Sequence, residues 1–96
     1  MEIYVFGRFR VKDGEEEEFG EALREVVRAS REEEGCAEIH GYCGIRDRRL
    51  FYVHSRWRDE EAFETHARLA HTVKFLERAE TAIEGALEVT RAERIV

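Results

Sequence analysis

The chain has 96 residues, 43% apolar and 40% charged, and 16 basic against 22 acidic side chains give it a formal charge of -6. That length accommodates a single domain, 1-96, and an acidic chain without a basic stripe excludes nucleic acid and an anionic membrane surface as partners. No apolar run approaches the roughly 18 residues of a membrane span, and Met1-Glu2-Ile3 does not open a secretory signal pattern, so a cytoplasmic location is expected.

A domain this small buries only about 60–65% of its unfolded surface, which favours oligomerisation. Pro, Asn and Gln are absent, and Lys12 and Lys74 are the only lysines among the 16 basic residues. A warm-growing organism and a GC-rich genome would each produce this bias.

In chain order, Glu2 to Val11 reads as a strand, with Ile3, Val5, Phe9 and Val11 on one face and Tyr4, Phe6, Arg8 and Arg10 on the other. Lys12-Asp13-Gly14 is a turn. Glu15 to Glu34 is helical: Phe19, Ala22, Leu23, Val26, Val27 and Ser30 follow the 3.6-residue period. Asp13 with Glu16 suggests a capping box, the glutamates that follow complement the helix dipole, and Gly35 suits a C-terminal stop. Cys36 to Ile45 is a second strand, Arg46 to Arg49 a hairpin loop, and Leu50 to Trp57 a third strand rich in aromatic and β-branched residues. Asp59 caps a helical region running to about Gly85 with a break near His71, and Leu87 to Ile95 is the last strand. The order β-α-β-β-α-β predicts an α+β ferredoxin-like fold, an antiparallel four-stranded sheet with helices on one face.

The sheet is predicted to be apolar on both sides. Helices cover one face; the other still carries Tyr4, Phe6, Leu50 and Tyr52. Exposed patches of that kind mark interfaces, so a homodimer with the sheets face to face is expected. Cys36 and Cys43 would lie about 20 Å apart on opposite faces of one strand, too far to bridge. His40 and His54 fall on the dimer side, and no compact ligand spacing points to a metal. Arg8 and Arg10 are expected to pair with acids such as Glu38, Glu88 or Glu93.

A pocket is suggested by small residues on the helix-covered face of the sheet. Gly7, Gly41 and Ser55 leave room for a close helix or for a ligand. The stripe Phe63, His66, Ala67, Ala70 turns His66 inward, opposite those small residues. A neutral imidazole there can act as a general base near pH 7. Trp57, Phe63 and Phe75 are candidate walls, with His71 beside Phe75 at the helix break. No Gly-rich phosphate loop and no nucleophile elbow is present.

The runs Gly7-Arg8-Phe9-Arg10-Val11-Lys12-Asp13-Gly14, Glu17-Glu18-Phe19, Glu34-Gly35-Cys36 and Trp57-Arg58-Asp59-Glu60-Glu61-Ala62-Phe63, followed by His66 and His71, resemble the antibiotic biosynthesis monooxygenase (ABM) family over nearly the whole chain. The resemblance implies a dimeric α+β barrel with a pocket in each subunit. It also implies membership of a group containing cofactor-free oxygenases of quinols or polycyclic phenols, haem-degrading enzymes and isomerases. Asp13 and Ala70 stand where the family often has Pro, and Ser55 where it often has Glu. Gly7 and His66 replace the Asn and Trp of the haem-degrading branch, which removes that activity from consideration. The expectation is a monooxygenase acting on a small aromatic quinol or phenol without cofactor, with His66 as base. A non-catalytic small-molecule-binding dimer and an isomerase on the same fold are the alternatives.

Overall fold

A computed structural model describes residues 1–96. Strand β1 (Ile3–Arg10) is followed by helix α1 (Glu16–Ser30), strands β2 (Cys36–Cys43) and β3 (Leu50–Trp57), helices α2 (Glu60–Arg68) and α3 (Ala70–Ala82), and strand β4 (Glu88–Ala92). The sheet order is β2-β3-β1-β4 with every pairing antiparallel. This is the expected ferredoxin-like α+β fold, with the second helical region divided in two.

Alternation fixes which strand residues face the helices. Ile3, Val5 and Phe9 of β1 and Phe51, Ser55 and Trp57 of β3 are buried, as are Phe19, Ala22, Leu23, Val26, Val27 and Ser30 on one stripe of α1. Phe9, Phe19 and Phe75 meet at centroid distances of 5.2 to 5.6 Å, and Phe51 joins them through Phe19 at 5.0 Å. These tilted and edge-on contacts lock α1 and α3 onto one half of the sheet.

The helix ends differ from the sequence expectation in ways that matter for the site. Gly14, at φ 91°, closes the Lys12–Glu15 turn, so Asp13 sits two residues too early to cap; Glu15 takes the cap position without a side-chain bond. Helix α1 stops at Ser30, whose hydroxyl donates to the Val26 carbonyl at 2.7 Å, and residues 31–35 form turns. Gly35 is therefore no helix stop. It is small because α2 passes over it: a Cβ there would lie 2.4 Å from that of Ala62. Asp59 caps α2 as expected, accepting from the Ala62 amide at 2.8 Å. The break comes at Leu69, whose ψ of 151° ends α2 and starts α3.

A register shift between Cys36 and Glu38 turns Cys36 to the same side of the sheet as Cys43, against the core, rather than the opposite side. Both thiols are free. Burial, with the Glu33 charge nearby, pushes the Cys36 thiol up to about 11, so it stays protonated near neutrality.

The outer face of the sheet is uncovered. Phe6, Tyr42 and Tyr52 are 49%, 50% and 39% exposed, and Phe6 packs on His54 at a centroid distance of 5.2 Å. His40 pairs with His54 in the ladder on this face. Ion pairs rim the patch: Arg8 with Glu88, Arg10 with Asp47, and Arg56 with both Glu38 and Glu2. Of the acids expected for Arg8 and Arg10, only Glu88 is used; Glu38 goes to Arg56 and the hairpin loop supplies Asp47.

Candidate active site between the helices and the sheet

A cavity of about 180 Å³ lies between the sheet and the helices. Its walls are apolar: Val5, Phe9 and Val53 from the sheet, Val26 and Val27 from α1, Phe63 and Phe75 from α2 and α3. Leu76 and Val89, both well exposed, also border it. Four polar side chains interrupt the lining: Ser30, Ser55, His66 and Thr72. A larger concavity of about 760 Å³ runs between the start of α1 and the end of α3, but glutamates 15, 17, 18 and 21 line it and no histidine reaches it.

Gly7, Ser55, Phe63, His66 and Phe75 border the cavity; Gly41, Trp57 and His71 do not. Gly41 admits α1 instead of a ligand, since a Cβ there would stand 3.1 Å from Leu23 Cδ2. Trp57 lies behind the wall, fully buried. Its indole N–H donates to Ser55 Oγ at 2.8 Å, and its ring packs on that of His66 at 4.5 Å. With Ser55 Oγ accepting from the indole, its own hydroxyl proton is left for a ligand oxygen.

The main feature missed in the sequence is Glu33. Its carboxylate Oε2 lies 2.8 Å from His66 Nδ1 and 2.7 Å from His71 Nε2. The Glu33 and His66 side chains are only 10% and 11% exposed, whereas His71 is 28% exposed. Glu33 stands among Glu32 and Glu34, and no local signal separates it from its solvated neighbours. It reaches the site because α1 ends at Ser30 and the following turns bring residue 33 inward.

A carboxylate only accepts, so Nδ1 of neutral His66 carries the proton and donates to Glu33, leaving Nε2 as a lone pair. Thr72 Oγ1 also touches Nδ1, at 3.3 Å. No protein group bonds Nε2, and it is not sealed in: Glu16 Oε1 alone is a fully buried side-chain polar atom without a partner. Burial pulls His66 below its ordinary value; the Glu33 hydrogen bond and charge oppose this, and His71 adds to it. The imidazole is thus neutral at pH 7 and oriented by its carboxylate.

The pH dependence of stability follows. Folded His66 binds its proton more weakly than the unfolded chain, whose imidazole titrates near about 6.5. Its contribution is fully present above that value and is lost as pH falls through the lower folded value. Denaturant titrations from pH 8 down to pH 5 are expected to show stability falling, and His66→Gln is expected to flatten that fall. An unchanged slope in the variant would contradict the burial effect.

Glu33, His66 and His71 also form a compact set of potential metal ligands, with donor atoms all within 4.8 Å of one another. This set has no compact ligand spacing in the sequence, where Glu33 lies 33 residues before His66. It is assembled by the break at Leu69: on a continuous helix, residues five apart point about 140° away from each other and could not share one carboxylate.

Known proteins share this framework. Residues 2–88 match the family described as Antibiotic biosynthesis monooxygenase. The chain is 30% identical over 91 residues to "Putative monooxygenase YcnE" of Bacillus subtilis (strain 168), covering 95% of this chain and 96% of that protein. The crystal structure of PA3566 from Pseudomonas aeruginosa superposes with a TM-score of 0.91 at 25% identity, covering 99% of this chain and 95% of the other. Rv0793 from Mycobacterium tuberculosis reaches 0.94 at 17% identity, covering 100% and 97%, a likeness of fold. With the family match spanning nearly the whole helix–sheet framework around the cavity, the chain belongs to the antibiotic biosynthesis monooxygenase family.

Proposed function

We propose that this protein is a cofactor-independent monooxygenase that oxidises a small quinol or phenol with dioxygen. One observation carries the reading: a buried, neutral histidine, held by Glu33 through Nδ1, lines an apolar cavity and has Nε2 free. The volume, about 180 Å³, compares with the roughly 150 Å³ void that holds benzene, so a single aromatic ring fits.

In the proposed reaction His66 Nε2 takes the acidic proton of the bound phenol or of its CH₂-bearing keto tautomer. Glu33 stabilises the resulting imidazolium. The electron-rich anion is itself the reductant of dioxygen. The overall balance is R₂CH₂ + O₂ → R₂C=O + H₂O: the substrate carbon supplies all four electrons, one oxygen atom becomes its new carbonyl, and the other leaves as water. The Ser55 hydroxyl is available to bond the substrate oxygen as negative charge develops. Phe63 and Phe75 hold the ring and exclude water.

Oxygen-electrode measurements with reduced monocyclic quinones test this. Stoichiometric uptake with product formation is expected. Proton exchange at an activated carbon without oxygen consumption would indicate an isomerase. Saturable binding without either would indicate a carrier.

We further infer that two copies associate through the outer sheet face, where Phe6, Tyr42 and Tyr52 form an exposed apolar patch with a charged rim. Sedimentation velocity is expected to show a dimer. Phe6→Glu is expected to weaken it by about 30- to 1,000-fold, since disrupting a central aromatic anchor costs about 2–4 kcal/mol. A wild-type monomer at micromolar concentration would end this inference.

A further inference from the structure

We propose that Glu33, His66 and His71 form a binding site for a divalent transition-metal ion of the zinc and cobalt class. Direct binding decides this independently of the oxygenase reading. The donor atoms are Glu33 Oε2, His66 Nδ1 and His71 Nε2, delivered by the turn after α1, by α2 and by the first turn of α3.

Three features support it. First, the Glu33 carboxylate is buried without a fixed positive partner. Its bonds go to two imidazoles, while the neighbouring Arg58 pairs with Glu34 and Asp59. Buried charges are ordinarily paired or bound to a metal, and a divalent ion would supply the missing charge. Second, two imidazoles and one carboxylate are donors of intermediate softness. They favour Zn²⁺, Co²⁺ or Ni²⁺ over Ca²⁺ and Mg²⁺, which prefer all-oxygen shells. Third, the required movement is small. Metal bonds of about 2.0–2.2 Å place donors roughly 3.0–3.5 Å apart, so the carboxylate withdraws by about half an ångström while the rings close in. His71 is the partly exposed member and sits at a helix start, so it can move without disturbing the core. Thr72 Oγ1, 3.3 Å from His66 Nδ1, is close enough to offer a fourth donor.

The tautomer gives this site a consequence. Ligation takes the Nδ1 lone pair, so the Nδ1 proton must leave and neutral His66 then carries its hydrogen on Nε2. Metal binding and proton abstraction at Nε2 are therefore mutually exclusive uses of one ring. A loaded ion would hold the base in an inactive state.

The test is a Co²⁺ titration of the chelator-treated full-length protein, followed by visible absorption and calorimetry. One ion per chain and d–d bands of nitrogen–oxygen coordination are expected. His71→Ala and Glu33→Gln should each weaken binding at least about tenfold, because even outer-sphere partners of metal ligands are worth about 10–100-fold. His40→Ala, on the outer face, should leave it unchanged. Circular dichroism of each variant establishes that it is folded. Absence of binding below about 100 μM to the folded wild type, or affinity unaltered in both site variants, or loss confined to His40→Ala, would overturn the assignment.

Discussion

His66→Gln is expected to lower oxygen-dependent turnover by about 10²–10⁴-fold, the usual worth of a positioned general base. Glutamine approximates the size of the imidazole and can still donate an amide N–H to Glu33, so the cavity wall stays in place. What it cannot provide is a basic lone pair where Nε2 stands. The loss should therefore fall on kcat, with KM for the quinol little changed. Glu33→Gln should reduce kcat less, because the ring keeps its packing against Trp57 at 4.5 Å even when its carboxylate is neutralised. Steady-state oxygen uptake measures both. Turnover of His66→Gln within threefold of wild type would remove the base assignment while leaving the cavity as a binding site.

Gly35→Ala is the substitution expected to damage the fold most for its size. The added Cβ would lie 2.4 Å from Ala62 Cβ and 3.5 Å from Ala62 Cα, atoms that cannot rotate away. Helix α2 must then move off the turn, although Asp59 anchors its N-terminus and the Arg58 amide donates to the Gly35 carbonyl at 2.9 Å. Overpacking of this kind costs about 1–3 kcal/mol, and each kcal/mol lowers Tm by about 4–8 °C in a domain of this size. Because α2 carries His66, turnover should fall together with Tm. Ala62→Gly in the Gly35→Ala background removes the clashing methyl and should recover stability, less roughly 0.5–1 kcal/mol for a helical glycine. A single Gly35→Ala variant melting with wild type would show that α2 is free to shift.

Both predictions involve positions whose meaning in the sequence differs from their meaning in the fold. Gly35 after a run of glutamates reads as a helix terminator, yet its role is to let a second helix approach. Glu33 in the same run falls within the helix expected over Glu15 to Glu34, yet it lies beyond the end of α1 and is the carboxylate bonded to His66. Gly41 reads as space for a ligand and is occupied by Leu23. Trp57 reads as a cavity wall and instead supports Ser55 and His66 from behind. By contrast, the inward placement of His66 and Phe63 was legible from helical periodicity, and that of Gly7 and Ser55 from strand alternation.

The sequence by itself determined the element order, the antiparallel sheet, the faces of β1 and β3 and the inward turn of His66. Each depends on a period of 2 or 3.6 residues that neighbouring residues already encode. Only the tertiary structure decided what that histidine is bonded to. Ending α1 at Ser30 and breaking the next helical region at Leu69 brought His66 and His71 onto one carboxylate, that of Glu33, from 33 and 38 residues away. Local periodicity carries no information about such meetings, because the positions of chain reversals are set by packing against the rest of the core.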